Sequence, residues 1–417
     1  MTSMLESDFV KKQYKEMHLP VISLQGDLSG ISKEESKSVT WLYFDNQQML
    51  NGFGLLKWQG NSSANFDKKG YRLKTLQSDY KKKDKVQFKA SWSKQSKFNL
   101  KAYYTDGLLS RDPVNAQIGS AILANQDNLP KDILKEDNFG LIEGFPVVLF
   151  INNEYAGLYS LNSVRPDFDY TKYAIMGNQW NDITQFTAVN PSAKLDGSDF
   201  ESLNPEDMPT DDEKQAVNNL AKFVSTSSDA DFKDHLEEHI SVNSAIDYLI
   251  FQNIIGNTDA FAKNEILLTW DGTKWFLHAY DFDNSFQGGW DGKVFGAQTG
   301  IIGTNNKLFA RLITLFGDKI KERYASLRNW LTPDYVISKY QKRVDEIGVN
   351  NYKMEFDKWN NPAKDTEDFN QLTQAVYNQF KVLDQNWLVS NVKPIVDSNA
   401  DTTKPKDEKP ATPTEDK

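Results

Sequence analysis

Asn257-Thr-Asp-Ala-Phe-Ala-Lys-Asn264, and the run that leads from it to Tyr280-Asp-Phe-Asp283, decide the fold of the second half of this chain. The run between these two polar segments predicts a β-hairpin. Residues 265–270 are rich in strand-forming side chains, Asp271-Gly272 is a strong two-residue turn signal, and residues 274–280 predict the returning strand. The polar segments therefore lie at the open end of the predicted hairpin.

The register of this hairpin determines which polar side chains meet. If Trp270 and Thr273 flank the turn, Asn264 pairs opposite Ala279. Asp281 then lies one diagonal step away on the same face, because side chains alternate between the faces of a strand. The sequence thus predicts that an amide and a carboxylate lie together, as a divalent cation site requires.

The order and spacing of the polar residues indicate phosphoryl transfer. Asp259 precedes Asn264 by five residues, which is the spacing of the protein-kinase catalytic loop, and Asp281 opens an Asp-Phe-Asp triplet similar to the metal-binding Asp-Phe-Gly. Mg²⁺ prefers hard oxygen ligands, and a separate carboxylate must receive the proton of the acceptor hydroxyl. The third residue of the triplet is Asp283 rather than Gly, so this similarity is incomplete.

Trp275 is the candidate for contact with a nucleotide base. It shares a strand face with Asp281, about 20 Å away if the strand is straight. A flat ring and a metal at this separation could bracket an extended nucleotide. The alternative is an ordinary hairpin with polar ends and a core tryptophan.

A second group of polar residues, upstream of the hairpin, could contact phosphates. Trp58-Gln-Gly-Asn-Ser-Ser63 is rich in donors, and Arg72 and Lys74 point to one face of a predicted strand. The segment lacks the Gly-Lys-Ser/Thr ending of a Walker loop. Arg111, just before a predicted helix, is another candidate because helix N-termini bind anions. The alternatives are a solvated turn with an edge strand, and an ion pair at the helix entry.

Composition limits the possible classes of function. The chain has 417 residues, a net charge of −10 and no cysteine, so disulfides and thiolate metal sites are excluded and a nucleic-acid groove is disfavoured. No apolar run reaches the length of a membrane span, and the N-terminus shows no secretory signal. We expect an α+β protein without nucleic-acid partners, and its localisation and oligomeric state stay open.

The pattern along the chain predicts five regions. Residues 1–17 form an N-terminal extension, 18–165 a β-rich N-terminal lobe, 166–210 a loop-rich connector, 211–396 a helical C-terminal lobe that carries the hairpin, and 397–417 a low-complexity, disordered tail.

Several individual elements are also predicted. Leu19-Pro-Val-Ile-Ser-Leu24 is a first strand, residues 147–161 are two strands around an Asn-Asn-Glu turn, and residues 113–124 are a helix. Ser241 caps a later helix that stops at Gly256.

Taken in order, these segments resemble the CotH kinase family, atypical kinases named for a bacterial spore coat protein. The similar segments are Trp58 to Ser63, Lys69-Gly-Tyr-Arg-Leu-Lys74, Asp106 to Arg111, Ile151 to Tyr159, Asp247-Tyr-Leu249, Gly256-Asn-Thr-Asp259 with Lys263-Asn264, and Trp275 to Asp283. The resemblance implies a highly diverged protein-kinase-like fold that uses ATP and a divalent metal, Mg²⁺ or Mn²⁺, to phosphorylate proteins.

By motif match, the resemblance also assigns roles. Asp259 corresponds to the catalytic base, Asn264 and Asp281 to metal ligands, and Asp283 to a supporting position or a second metal. Lys74 corresponds to the phosphate-contacting lysine, with Arg72 and Arg111 as further candidates, and Trp275 to the residue that stacks on adenine.

The chain departs from the family pattern at several positions. Tyr280 replaces a Trp, Asp112 replaces an Asn, and Asn162 stands where the family carries a Glu. If that Glu clamps the phosphate-binding lysine, as in protein kinases, then Glu143 or Glu154 has to supply the charge.

Three functions are compatible with these observations. The first is an active kinase whose partner is a protein substrate, such as a Ser/Thr-rich surface or coat protein. The second is a catalytically weak or inactive CotH-like attachment protein of a spore coat, a cell surface or a phage tail. The third, suggested by ten Trp and seventeen Tyr, is a carbohydrate-binding module, although core packing accounts for most such aromatics.

Overall fold

The computed structural model describes residues 4–178, 185–186, 200–205 and 209–388. The expected tail at 397–417 lies outside these residues.

The strands are β1 (Val21–Gln25), β2 (Lys37–Phe44), β3 (Met49–Gln59), β4 (Gly70–Leu76), β5 (Lys97–Lys101), β6 (Gly144–Ile151), β7 (Glu154–Asn162), β8 (Tyr173–Asn178), β9 (Phe200–Asn204), β10 (Lys263–Thr269) and β11 (Trp275–Ala279). The helices are α1 (Met4–Met17), α2 (Arg111–Leu123), α3 (Asp211–Thr226), α4 (Asp229–His239), α5 (Val242–Ile255), α6 (Lys307–Leu315), α7 (Gly317–Arg328), α8 (Pro333–Ile347), α9 (Val349–Lys358) and α10 (Phe369–Trp387).

The first seven strands close into a barrel in the order β1-β2-β3-β4-β5-β7-β6, with β6 returning in parallel to β1. Inward side chains alternate with outward ones, so Leu73 and Leu100 lie in the core while Arg72 and Lys101 lie on the outside. Closure leaves the barrel without open edges. The fold is therefore mixed α+β, with a β-rich N-terminal part and helices towards the C-terminus, as predicted.

Most of the predicted elements are present. The strand predicted from Leu19 is β1, and the pair predicted for residues 147–161 is β6 and β7, joined at Asn152 and Asn153 with φ values of 51° and 67°. Two positive φ angles are the geometry of a type I′ hairpin turn, which asparagine tolerates well.

The helix predicted to end before the polar segment is α5. The Ser241 side chain accepts a hydrogen bond from the Ser244 N–H, and Gly256 ends the helix in the left-handed conformation with φ 67°. All residues of α5 except Asn243 are buried, and α5 packs against β11 and α10. A helix held this firmly fixes the position of the segment that follows it.

The second sheet has the order β11-β10-β8-β9. β8 and β9 lie within the region predicted to be loop-rich, and β8 pairs with β10. The described residues contain no helix long and apolar enough to cross a membrane.

The predicted register of the β10–β11 hairpin is wrong by one residue. Thr269 pairs with Trp275 and Glu265 with Ala279, so five residues rather than two form the loop. The Asp271 carboxylate accepts hydrogen bonds from the N–H groups of Thr273 (2.7 Å) and Lys274 (2.9 Å). These bonds stabilise a wider turn than the Asp-Gly pair indicates.

Glu213 provides a test of the packing between α3 and the second sheet. It is fully buried, and its carboxyl accepts one hydrogen bond, from the Ser202 hydroxyl at 2.9 Å. Burial raises its pKa from 4.5 to about 7. Because the folded form binds the proton more tightly than the unfolded form, stability should fall as the pH rises from about 4.5 through about 7.

Replacing Glu213 by Gln should remove this pH dependence. Allowing for solvent screening, we expect a gain on the order of 1–2 kcal/mol in the free energy of unfolding above pH 7. Urea unfolding across this pH range measures the effect, and Asp212→Asn, an exposed acid in the same turn, is the control. An unchanged pH profile in Glu213→Gln would contradict this account.

Candidate active site

Three of the predicted acidic residues meet where α5 and β11 both end. Asp259 lies in a 3-10 turn, Thr258–Phe261, directly after α5, while Asp281 and Asp283 follow β11. The Asn257 side chain joins the two segments, because its Nδ2 donates to the Asp281 carbonyl at 3.2 Å. The two ends are therefore joined by a hydrogen bond from a side chain to the backbone.

The acidic side chains influence one another. Burial raises the pKa of Asp281; Lys101 acts in the opposite direction, and the neighbouring Asp112 and Asp259 raise the pKa further. The Asp283 side chain is exposed; partial desolvation, with the charges of Asp281 and Asp112, raises its pKa above the usual value. Such a concentration of negative charge favours binding of a cation.

Two of the expected metal ligands have unusual backbone conformations. Asn264 has φ 62° and Asp281 has φ 58°, in the left-handed region that few residues other than Gly, Asn and Asp occupy. Asn264 also lies within a register shift between β10 and β8. Bulges and left-handed residues redirect side chains, and they are frequent at functional sites.

The three residues expected to bind a metal are of the types that a hard divalent cation prefers. Asn264, Asp281 and Asp283 offer one amide and two carboxylates, and none of these side chains has a hydrogen-bond partner among the described residues. Mg²⁺ typically takes one or two carboxylates and keeps several waters. Within the described ranges, no group of three or more His, Cys, Asp or Glu side chains could hold a metal ion, and the metal-ligand assignment stays a prediction.

The comparison with protein families is decisive for the assignment. The chain matches the family model described as CotH kinase protein over residues 56–386, which is most of its length. The chain belongs to the CotH kinase family. Membership indicates a kinase-like or spore-coat protein. No curated protein matches the chain significantly.

Lys101 is a residue of this candidate site that the sequence analysis missed. It is half-buried at the end of β5; burial lowers its pKa, but Asp281, Tyr280, Asp112 and Asp283 outweigh this and raise it. Alternation along β5, with Phe98 and Leu100 facing the core, would have placed Lys101 outside the barrel. No strand was predicted there, so this signal was not used.

Asp112 connects the barrel to the acidic triplet. Its Oδ1 accepts from the Phe282 N–H at 3.1 Å, and its Oδ2 accepts from the Tyr103 hydroxyl at 2.7 Å. The Tyr103 hydroxyl in turn accepts from Asn162 Nδ2 at 2.8 Å. Asn162, where the resemblance leads to the expectation of a Glu, thus contacts the site through two neighbours.

The two acids expected to replace that Glu are engaged elsewhere. Glu143 accepts from Trp92 Nε1 at 2.7 Å and is paired with Lys89, while Glu154 is exposed at the β6–β7 turn. Besides Asp281 and Asp283, the acid that neighbours Lys101 is Asp112.

Arg72 and Lys74 share the outer face of β4, as alternation predicted. Arg72 Nε donates to Asn99 Oδ1 at 3.0 Å, and Lys74 is half-buried in register with Leu55 and Lys97. Their assignment to phosphate binding stays a prediction.

Arg111 does not fit the phosphate-binding role assigned to it. The residue is 1% exposed, and its Nη1 donates to Asp106 at 2.8 Å and Glu367 at 2.5 Å. Its Nε donates to the Ser285 carbonyl at 3.0 Å, and Gly288 packs closely on the guanidinium. The ion pair at the helix entry, the alternative interpretation, describes this residue correctly.

Trp275 does not fit the adenine-stacking role. It is 1% exposed, lies in the main hydrophobic core, and pairs with Thr269 at the closed end of the hairpin, away from Asp281. Its carbonyl accepts from the Ser241 N–H at 2.8 Å, so the start of α5 covers it. A base has no free ring face to stack on.

Replacing Trp275 by Phe should therefore affect stability rather than nucleotide binding. We expect a loss of about 1–3 kcal/mol in the free energy of unfolding, because a buried ring becomes smaller and a cavity remains. Chemical denaturation measures this loss, and titration of the folded variant with ATP should give the wild-type Kd. A large rise in Kd with unchanged stability would restore the stacking role.

Proposed function

We propose that the chain is an atypical protein kinase that transfers the γ-phosphate of ATP to Ser or Thr of a protein, with Mg²⁺ or Mn²⁺. The observation that supports this most is the grouping of Asp259, Asp281 and Asp283 with Lys101 at the joined ends of α5 and β11. These are the residue types that position and neutralise a triphosphate.

The proposed roles follow from the surroundings of each side chain. Asn264, Asp281 and Asp283 would hold the metal, which when bound neutralises charge on the phosphates. Lys101 would orient the phosphates from the barrel side. Asp259, half-buried with its Oδ2 3.5 Å from Lys263 Nζ, would accept the proton of the hydroxyl.

In the reaction, the hydroxyl oxygen of the acceptor forms a bond to the γ-phosphorus. The bond from this phosphorus to the β–γ bridging oxygen breaks, and ADP leaves with the electron pair. The proton passes to Asp259. Because no covalent intermediate with the protein is involved, placement and charge account for the rate.

The chain order supports a highly diverged kinase-like fold for this function. A strand carrying Lys101 is followed by α2, then by Asp259 and Asn264, and finally by Asp281. Protein kinases use a strand lysine, a helix with an acidic partner, a catalytic Asp, an Asn and a metal-binding Asp in the same order. In this comparison Asp112, at the start of α2, takes the place of the helix acid.

Transfer of label from γ-labelled ATP to the chain itself, or to a Ser/Thr-rich protein, tests the function. Label should appear with Mg²⁺ or Mn²⁺ and be lost in Asp259→Asn. If the wild-type protein transfers no more label than Asp259→Asn with either metal, the proposed kinase activity is wrong.

Lys101→Met should weaken nucleotide binding without unfolding the protein. We expect the stabilisation by Mg-ATP, about 2.7 kcal/mol at a hundred times the Kd for a competent site, to fall by at least half. Thermal unfolding with and without Mg-ATP measures it. Lys97→Met, on the same face of β5 but paired with exposed Asp167, should behave as wild type.

One observation favours the second candidate, a catalytically weak or inactive attachment protein. Asn162 carries no charge, and neither Glu143 nor Glu154 replaces the missing family acid. If saturating Mg-ATP fails to raise the melting temperature of the wild-type protein, this candidate takes precedence.

A further inference from the structure

The segment Gln287–Phe295, here called the aromatic loop, displays a group of exposed apolar side chains. Trp290 is 62% exposed, Phe295 44% and Val294 37%. The other exposed large apolar side chains of the described residues lie at the start of α1, at Leu134, and at the two positions Val349 and Met354 of α9. Neighbouring exposed apolar groups of this kind mark interaction sites.

Hydrogen bonds give the aromatic loop a defined shape. Gly289 N–H donates to the Lys293 carbonyl at 2.9 Å, and Phe295 N–H donates to the Gln287 carbonyl at 2.7 Å. Gly289 allows the Phe295 ring to pack closely, since a Cβ there would lie 2.9 Å from that ring. The apolar surface is therefore preformed, and little order has to be gained on binding.

The base of the aromatic loop is fastened to the candidate active site. It begins four residues after Asp283. The Ser285 hydroxyl accepts from Asn115 Nδ2 at 2.6 Å, the Ser285 carbonyl accepts from Arg111 Nε, and Phe286 N–H donates to the Ile255 carbonyl at 2.7 Å. The loop thus has a fixed position relative to the acidic residues.

The size of the patch indicates what covers it. Three side chains offer far less than the roughly 800 Å² per partner that a stable dimer buries. The surface beyond the patch has free space at two points, because a Cβ at Gly296 or Gly300 would meet nothing within 4 Å. An extended peptide fits such a surface, with backbone beside backbone and one side chain on the aromatic rings.

We propose that the aromatic loop is the docking surface for the acceptor polypeptide, which binds as an extended Ser/Thr-containing segment with a large apolar residue packed on Trp290 and Phe295. This inference rests on the proposed function, since it names the acceptor class of that same site. It adds that the acceptor is selected by an apolar residue near the phosphorylated hydroxyl.

Matched peptides test the selection. The substrates are pairs of Ser/Thr peptides that differ at one flanking position, where one peptide has Leu or Phe and the other has Ala, Lys or Glu. Phosphorylation of each pair is measured with wild type, with Trp290→Ala and with Leu134→Ala. Leu134, a remote exposed apolar residue, serves as the control. Wild type and Leu134→Ala should prefer an apolar residue at one position by about tenfold in kcat/KM, mainly through KM. Trp290→Ala should lose this preference and keep the KM for ATP. An equal preference in Trp290→Ala would overturn the proposal.

A binding measurement separates this proposal from the proposed function. The same peptides, fluorescently labelled, are titrated with wild type, Trp290→Ala and the Asp259→Asn variant, and anisotropy is recorded. Apolar-dependent binding that survives Asp259→Asn but not Trp290→Ala supports the docking surface, even if wild type transfers no phosphate. Binding that is absent from wild type, or indifferent to the apolar residue, overturns it.

Discussion

Asp281→Asn is expected to lower phosphoryl transfer by about 10²–10³-fold, and to leave the melting temperature unchanged or raise it. The Asp281 carboxylate has no hydrogen-bond partner among the described residues and lies close to Asp112, Asp259 and Asp283. Asparagine keeps the size of the side chain and tolerates φ 58°, but it removes one negative charge. Like-charge repulsion falls, and so does the affinity for the cation.

Activity and stability should therefore move independently, which distinguishes a functional acid from a structural one. Initial rates with γ-labelled ATP and thermal unfolding without nucleotide are the two measurements. Asp357→Asn, in an exposed pair with Lys353 on α9, is the control and should change neither. A melting temperature lowered by several degrees, with activity retained, would show that Asp281 supports the fold instead.

Glu355→Ala is expected to cost about 3–5 kcal/mol in the free energy of unfolding, the typical cost of leaving a buried charge unpaired. Glu355 on α9 lies 2.5 Å from Lys68 Nζ, and both side chains are at most 1% exposed. Glu355 Oε2 also accepts from the Leu158 N–H at 2.7 Å. Without the carboxylate, an ammonium group remains in a site whose burial already lowers its pKa.

Two further variants make this prediction specific. The double variant Lys68→Met with Glu355→Leu should recover most of the lost stability, because a buried ion pair can be replaced by apolar groups of similar size. Lys353→Ala removes an exposed pair with Asp357 on the same helix and should cost less than about 1 kcal/mol. The loss in Glu355→Ala should be smaller at high pH, where the lone lysine can release its proton. Urea unfolding of all three measures the effect, and equal stability of Glu355→Ala and Lys353→Ala would refute it.

Local patterns were sufficient to predict the parts of the site that lie close in sequence. The cap at Ser241, the stop at Gly256 and the hairpin that follows bring Asp259 and Asp281 together through contiguous segments. The predicted register of the β10–β11 hairpin is wrong by one residue, because the Asp271 side chain forms hydrogen bonds with the loop backbone. Dipeptide turn preferences do not include these bonds.

The remaining errors concern contacts between distant parts of the chain. Arg111 looked available for a phosphate because its partner Glu367 is 256 residues away. The alternation of side chains along β11 predicts an accessible face for Trp275, but the start of α5 covers that face. Lys101 comes to the site only because β5 is placed between β4 and β7 when the barrel closes. None of these contacts leaves a periodic signal in the sequence.

The pairing of Lys68 with Glu355 has a consequence for how the protein is made. During synthesis the barrel strands leave the ribosome long before α9, so the Lys68 ammonium stays without its carboxylate partner until Glu355 has been translated. The barrel is therefore translated well before the contact that neutralises its buried lysine can form. Anyone wishing to express residues 18–165 alone should begin by substituting Lys68.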